Sequence, residues 1–290
     1  MQWFLSFVLI SFSSVTFAQY SSEWRVTKTS WTEQDERNFG AFVTQIGEAV
    51  DRRECDMVDN CLRSSANPYA HTDPPELKLY ADCADLPYFL RSYFAWKNQL
   101  PMSVESDVNA RNVEGNTGDI RYTPFGNYVT SRFNIIARNS SGRSDWEGFW
   151  DGIFKTRYPN AVSLLNSTIT DLTSSASFRM IGQEDGALFT DFYPVRLDRY
   201  GIRPGTVIYD PNGHVTVVFK VSDSGRIYYI DSHPDNTLTS GMYNQKFERS
   251  NPYQGAGFKN FRPIALTNAK VDSNGAYVGG KIVGAKNNQL

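Results

Sequence analysis

Three cysteines and three histidines are the only side chains in this 290-residue chain that can form a thiol–imidazole pair. Cys55 and Cys61 lie close together in a polar, irregular stretch, "RRECDMVDNC". Cys83 stands apart in "LYADCADLPYFLRSYFAW", between two aspartates and just before a run of aromatic, helix-compatible residues. In an oxidising compartment an odd count leaves one thiol free or bridged to another molecule. A loop as short as that between Cys55 and Cys61 can be closed, which singles out Cys83. Spacing does not fix connectivity, so a bridge from Cys83 to either of the others stays open.

A thiol becomes a nucleophile as its thiolate, favoured by the positive end of a helix and by a neighbouring histidine. The sequence puts Cys83 at or just before a first helical turn, with Pro87 where a missing N–H is still tolerated. Of the histidines, His71 sits in a loop beside "DPP", His214 follows the turn "DPNG" and begins an apolar β-run, and His233 follows another such run. His214 is the best-placed partner, held at a sheet end yet reachable from solvent; a turn-capping role is its structural alternative. An imidazole base also needs an acceptor on its second ring nitrogen to fix the tautomer. Asp231, in "YYIDSH", ends the next predicted strand, roughly across from His214. The alternative for Asp231 is a loop carboxylate bonding its own backbone.

The elements that must position these groups follow from pattern. Thr32 and Asp35 cap a helix in which Phe39, Phe42, Val43, Ile46, Ala49 and Val50 share one face. Tyr88 to Trp96 continue the helix opened near Cys83. "SDWEGFWDGIF" aligns Trp146, Phe149, Trp150, Ile153 and Phe154 on a helical face, with Ser144 or Asp145 as cap. "RYTPFGNYVTSRFNIIAR" reads as strands or an extended aromatic loop, and "SLLNSTITDLTSSASFRM" fits helix or strand. Thr206–Tyr209, His214–Val221 and Arg226–Ile230, separated by "DPNG" and "SDSG", read as a small antiparallel meander.

The compartment is read from the start of the chain. Residues 3–17, "WFLSFVLISFSSVTF", carry no charge, are too short for a membrane span, and end at Ala18 as a secretory signal does; an N-terminal core strand is the alternative. The expectation is an exported protein, periplasmic or extracellular, with no membrane span. A formal net charge of −2 argues against nucleic acid as a partner. A hydrophobic content of 40% supports a sizeable core. With no CxxC, GxGxxG or P-loop, neither a metal site nor a nucleotide or other cofactor is expected.

"DCADLPYFL" opening a helix, then "RPGTVIYDPNGHVTVVF", then a strand ending in a polar residue, together resemble the papain-like cysteine fold. Within it, Asp82-Cys83, Pro204-Gly205 and His214-Val215 are similar to the NlpC/P60 branch of bacterial cell-wall peptidases, with Thr206 where an aspartate is usual. Ala84 and Asp85 replace the usual serine and glycine, and "DCADLP" with Asp231 as third residue looks more like transglutaminase-like domains. The resemblance covers residues 81–102 and 203–231. It implies an α+β fold in which the Cys83 helix packs on a small antiparallel sheet. Residues 19–290 would form one catalytic domain, with an N-terminal helical extension and a long insertion at about 103–200. It implies a bacterial Cys-His-Asp acyl-transfer enzyme in which Cys83 attacks, His214 relays protons and Asp231 orients the ring. The Cys83 backbone N–H would meet the oxyanion, with Tyr80, Asp82 or His233 in support; His233 is also the substitute base. Peptidoglycan peptides are the first expected substrate and proteins the second. A binding protein that keeps the scaffold without turnover is the reading outside catalysis.

Overall fold

Thr32 starts the first helix, α1 (Glu33–Asp51), by a reciprocal cap: its hydroxyl accepts the Asp35 N–H, and the Asp35 carboxylate accepts the Thr32 N–H. The expected apolar face, Phe39 to Val50, is buried. The computed structural model describes residues 21–112, 118–139, 156–185, 188–247 and 252–290. The signal-like run 1–18 and the helix expected around residues 146–154 lie outside these.

After α1 comes a short helix, α2 (Val58–Arg63), and Cys55 is bridged to Cys61 across its start. The third helix, α3 (Asp85–Lys97), is buried on all sides from Asp85 to Trp96. A helix that is apolar all round belongs in the middle of a fold, and α3 touches both α1 and the main sheet. Its buried Arg91 would be costly alone. It is neutralised by a two-pronged ion pair with Glu36 of α1 and lies 3.2 Å over the Trp31 ring.

A hairpin of β1 (Met102–Ala110) and β2 (Asn127–Ile135) follows. Residues 161–172, which fitted helix or strand by sequence, are helical, with a π-turn at Leu164–Thr168 between α-turns Ala161–Ser163 and Ile169–Leu172. Six strands then form one antiparallel sheet: β3 (Phe192–Pro194), β4 (Val207–Asp210), β5 (His214–Val221), β6 (Ile227–Ser232), β7 (Leu238–Met242) and β8 (Gly257–Phe261). Their order across the sheet is β7-β6-β5-β4-β8-β3. The architecture is thus mixed α/β, and the expected meander, β4-β5-β6, is its centre.

The register between β5 and β6 contains one irregularity. Tyr228 pairs with Lys220 but Tyr229 with Val218, so Phe219 has no partner. This is a β-bulge, and it shifts every later pairing by one residue. Continued from the bulge, the register aligns Asp231 with Thr216, on the face that His214 shares. An unbulged hairpin would align Asp231 with Val217 and turn it to the other face. The bulged Phe219 is buried against a notch at Gly47 of α1, where an added methyl would lie 2.2–2.3 Å from the Cγ and Cβ of the ring.

Gly47→Ala gains helix propensity of about 1 kcal/mol, but the overpacking is set against the stem of Phe219, which cannot swing aside. It is expected to destabilise the protein by about 1–2 kcal/mol net. Urea unfolding checks this: a midpoint equal to or above wild type would show that the notch does not hold Phe219.

Candidate active site

The segment leading into α3 is held before the helix begins. Asp82 holds the turn that enters it: the carboxylate accepts the N–H groups of Ala84 (2.8 Å) and Asp85 (3.0 Å), and the Asp82 carbonyl accepts that of Leu86. Cys83 therefore lies in the turn just before the helix, within the expected range of at or just before its first turn. Among the described residues its own N–H has no acceptor, so this donor remains available at the helix N-terminus. The thiol is half-buried and free, because Cys55 and Cys61 take each other.

His214 opens β5 directly after the turn that starts at Asp210. Asp210 accepts the Asn212 N–H on its carboxylate and the Gly213 N–H on its carbonyl. Gly213 has φ +101°, and the Tyr122 hydroxyl stands 3.3 Å from where a Cβ would be, so the position suits only glycine. The loop that carries Tyr122 is clamped to this turn by the buried Arg179, which donates to Thr123 O (2.7 Å) and Pro211 O (2.8 Å).

His214 Nε2 lies 2.8 Å from Asp231 Oδ2. The Cys83 thiol is its second side-chain partner, which leaves Nδ1 as the ring atom for sulfur. These two hydrogen bonds, Asp231 first and Cys83 second, raise the imidazole pKa to about 10 against the opposing effect of burial. At neutral pH the ring is thus an imidazolium between two groups that stabilise its charge. The other oxygen of Asp231 accepts the hydroxyl of Thr239, directly across the β6–β7 pair.

The supporting residues fall in different places. His233 is not the ring beside the thiol: its Nε2 is 3.3 Å from Thr239 Oγ1. The exposed Tyr80 donates to the Pro234 carbonyl (2.8 Å), so in this arrangement its hydroxyl is a tether rather than an oxyanion donor. Asp82 acts through the turn it holds. Asp85 is buried beside it, bonded by the Thr173 hydroxyl (2.8 Å), and burial first and the Asp82 charge second push its carboxyl up to about 7. His71 remains on a separate short helix, Ala70–Thr72.

Sequence reading missed Ser232, Asn236 and Thr239. Ser232 Oγ donates to Ala81 O (2.6 Å), and Asn236 Oδ1 accepts the Ala81 N–H (3.1 Å). Asn236 sits at φ +72°, a conformation asparagine tolerates better than most residues. "HPDN" marks a turn, but nothing local ties it to residues 79–81. A cavity of about 470 Å³ lies at the β3 edge, lined by Tyr193, Arg196, Tyr200 and Arg203 among others. It includes none of Cys83, His214 and Asp231, so the site is defined by side-chain geometry rather than by that concavity. No group of three or more metal-ligating side chains occurs among the described residues. No family model, curated protein or solved structure matches the chain.

The raised imidazole has a pH signature. Its value of about 10 exceeds the ordinary 6.5, so the stabilisation is complete below pH 6.5 and is lost as the pH rises through about 10. The side chain is 38% exposed, so solvent screens the effect to a few degrees at most. The melting-temperature gap between wild type and His214→Gln is expected to shrink over this window. A gap that stays constant from pH 6 to 10 would mean that the folded ring is not held protonated.

Proposed function

We propose that the protein is an exported cysteine hydrolase that cleaves amide bonds through Cys83, His214 and Asp231. One observation carries this reading. The only unbridged cysteine stands just before a helix N-terminus and shares a histidine with a carboxylate on that ring's far nitrogen. Such a constellation activates a nucleophile.

With the ring held protonated, the attacking form is the thiolate of Cys83, and His214 serves first as an acid. The sulfur attacks the carbonyl carbon; a C–S bond forms and the π pair moves to oxygen, where the Cys83 N–H receives it. As the tetrahedral centre collapses, the C–N bond breaks and the nitrogen takes the proton from His214 Nδ1. Water then attacks the thioester and gives its proton to the now neutral imidazole. The C–S bond breaks, releasing the acid and restoring the ion pair. Asp231 keeps Nε2 hydrogen-bonded throughout, and no cofactor enters.

The scaffold we read as papain-like: the Cys83 helix buried against an antiparallel sheet whose adjoining strands carry histidine and aspartate. The cystine Cys55–Cys61 supports an oxidising, exported setting, and no helix among the described residues is long and apolar enough to cross a membrane. On these grounds a bacterial periplasmic or extracellular enzyme acting on peptidoglycan peptides is the first reading. Asp231 as third residue and "CAD" after the helix start favour the second, a transglutaminase-like protease or acyltransferase on proteins.

Iodoacetamide is expected to label Cys83 alone in the unreduced protein. His214→Ala should slow that labelling roughly tenfold or more at pH 7, through loss of the stabilising cation. Wild type, but not Cys83→Ala, should then release peptides from muropeptides or from a protein substrate. A Cys83 that resists alkylation in the folded protein would leave the binding reading in place of the enzymatic one.

A further inference from the structure

Asp231 has two carboxylate oxygens, and His214 uses only one. A carboxylate held at a single oxygen turns freely about its last torsion, which is broad and roughly two-fold, and the imidazole would follow it. The second oxygen is held by Thr239 Oγ1 at 2.5 Å. Thr239 stands directly opposite Asp231 in the β6–β7 pair, so the two side chains share a face. A hydroxyl has one proton. Given to Asp231, it leaves Thr239 Oγ1 an acceptor toward His233 Nε2, 3.3 Å away, and that fixes the proton of His233 on Nε2. With the opposite tautomer, His233 would claim the Thr239 proton and Asp231 would lose its second contact.

We infer that Thr239 is a positioning residue for the thiol chemistry and that His233 sets the direction of its hydroxyl. The result is an outer relay His233–Thr239–Asp231–His214 behind Cys83. This rests on the thiol reading of the site. The charged groups about His233 are Asp231, through Thr239, and Asp235, whose carboxylate is lowered first by the hydroxyl and N–H of Thr237. The backbone of His233 closes a turn: its N–H donates to Thr237 O (3.0 Å) and its C=O accepts the Asn236 N–H (2.8 Å). Pro234 and Asn236 of that turn hold Tyr80 and Ala81, on the approach to Cys83. The nucleophile and the far end of the relay are thus fastened to one turn.

The test uses the folded protein and the second-order rate of Cys83 alkylation by iodoacetamide from pH 5 to 9, so it needs no substrate. Thr239→Val keeps the shape and removes the hydroxyl; it is expected to slow alkylation at pH 7 about three- to tenfold, the span of one ordinary hydrogen bond. Thr239→Ser should restore the rate, and His233→Ala should slow it in the same direction by less. In a His214→Ala background Thr239→Val should change nothing further, because it acts through the ring. A wild-type rate in Thr239→Val, or equal slowing with and without His214, would overturn the relay while leaving the thiol reading intact. An unchanged rate in His233→Ala would remove His233 from it. Equal rates in wild type and His214→Ala would sink the thiol reading itself, and the relay with it.

Discussion

The arrangement depends on a seam of hydrogen bonds between two segments far apart in the chain. Residues 79–81 and the turn at 232–237 are joined by Ser232 to Ala81, Asn236 to Ala81 and Leu79, and Tyr80 to Pro234. Without that seam a thiol on a helix and an imidazole on a strand have no fixed relation. Each of its bonds joins a side chain to a backbone group, and backbone groups must find partners once buried. The seam therefore satisfies the chain ahead of α3 and sets the site in the same act.

The electrostatics follow from where α3 can begin. A fully buried helix leaves its first N–H groups with no solvent to meet, and Asp82 takes two of them. That leaves Cys83 in the turn just ahead of the helix, with no acceptor for its own N–H among the described residues. The cap also brings a negative charge next to the thiol. Two features offset this: burial raises the Asp85 carboxyl to about 7, and the His214 cation is stabilised by Asp231. Deeper along α3, Tyr88 bonds Glu105 of β1 and Asp191, while Arg132 of β2 pairs with Asp191. This interior network fastens the helix to the hairpin behind it.

Much of the site was legible in the sequence because its signals are local. A capping pattern, a helical run after a cysteine, and turns at "DPNG" and "SDSG" each act over a few residues, and the meander strands stand within two residues of where they put them. The single free thiol was narrowed by counting, although the Cys55–Cys61 pairing needed coordinates. The role of Tyr80 was not legible, since exposure near a cysteine says nothing about where a hydroxyl points. Thr239 was invisible for the same reason: one threonine in a strand is an ordinary strand residue.

The sequence by itself determined which residues could do thiol chemistry and on which kinds of element they lie, because capping, periodicity and turn formation are decided by near neighbours. Tertiary structure alone decided that Asp231 faces His214. That depends on one unpaired residue, Phe219, whose accommodation at Gly47 belongs to helix–sheet packing between distant segments. Side chains alternate faces along a strand, so a shift of one residue exchanges a partnered carboxylate for an absent one. No local pattern records that shift, because its cause lies in a helix more than a hundred and fifty residues away, as the Thr44–Phe219 contact beside it shows.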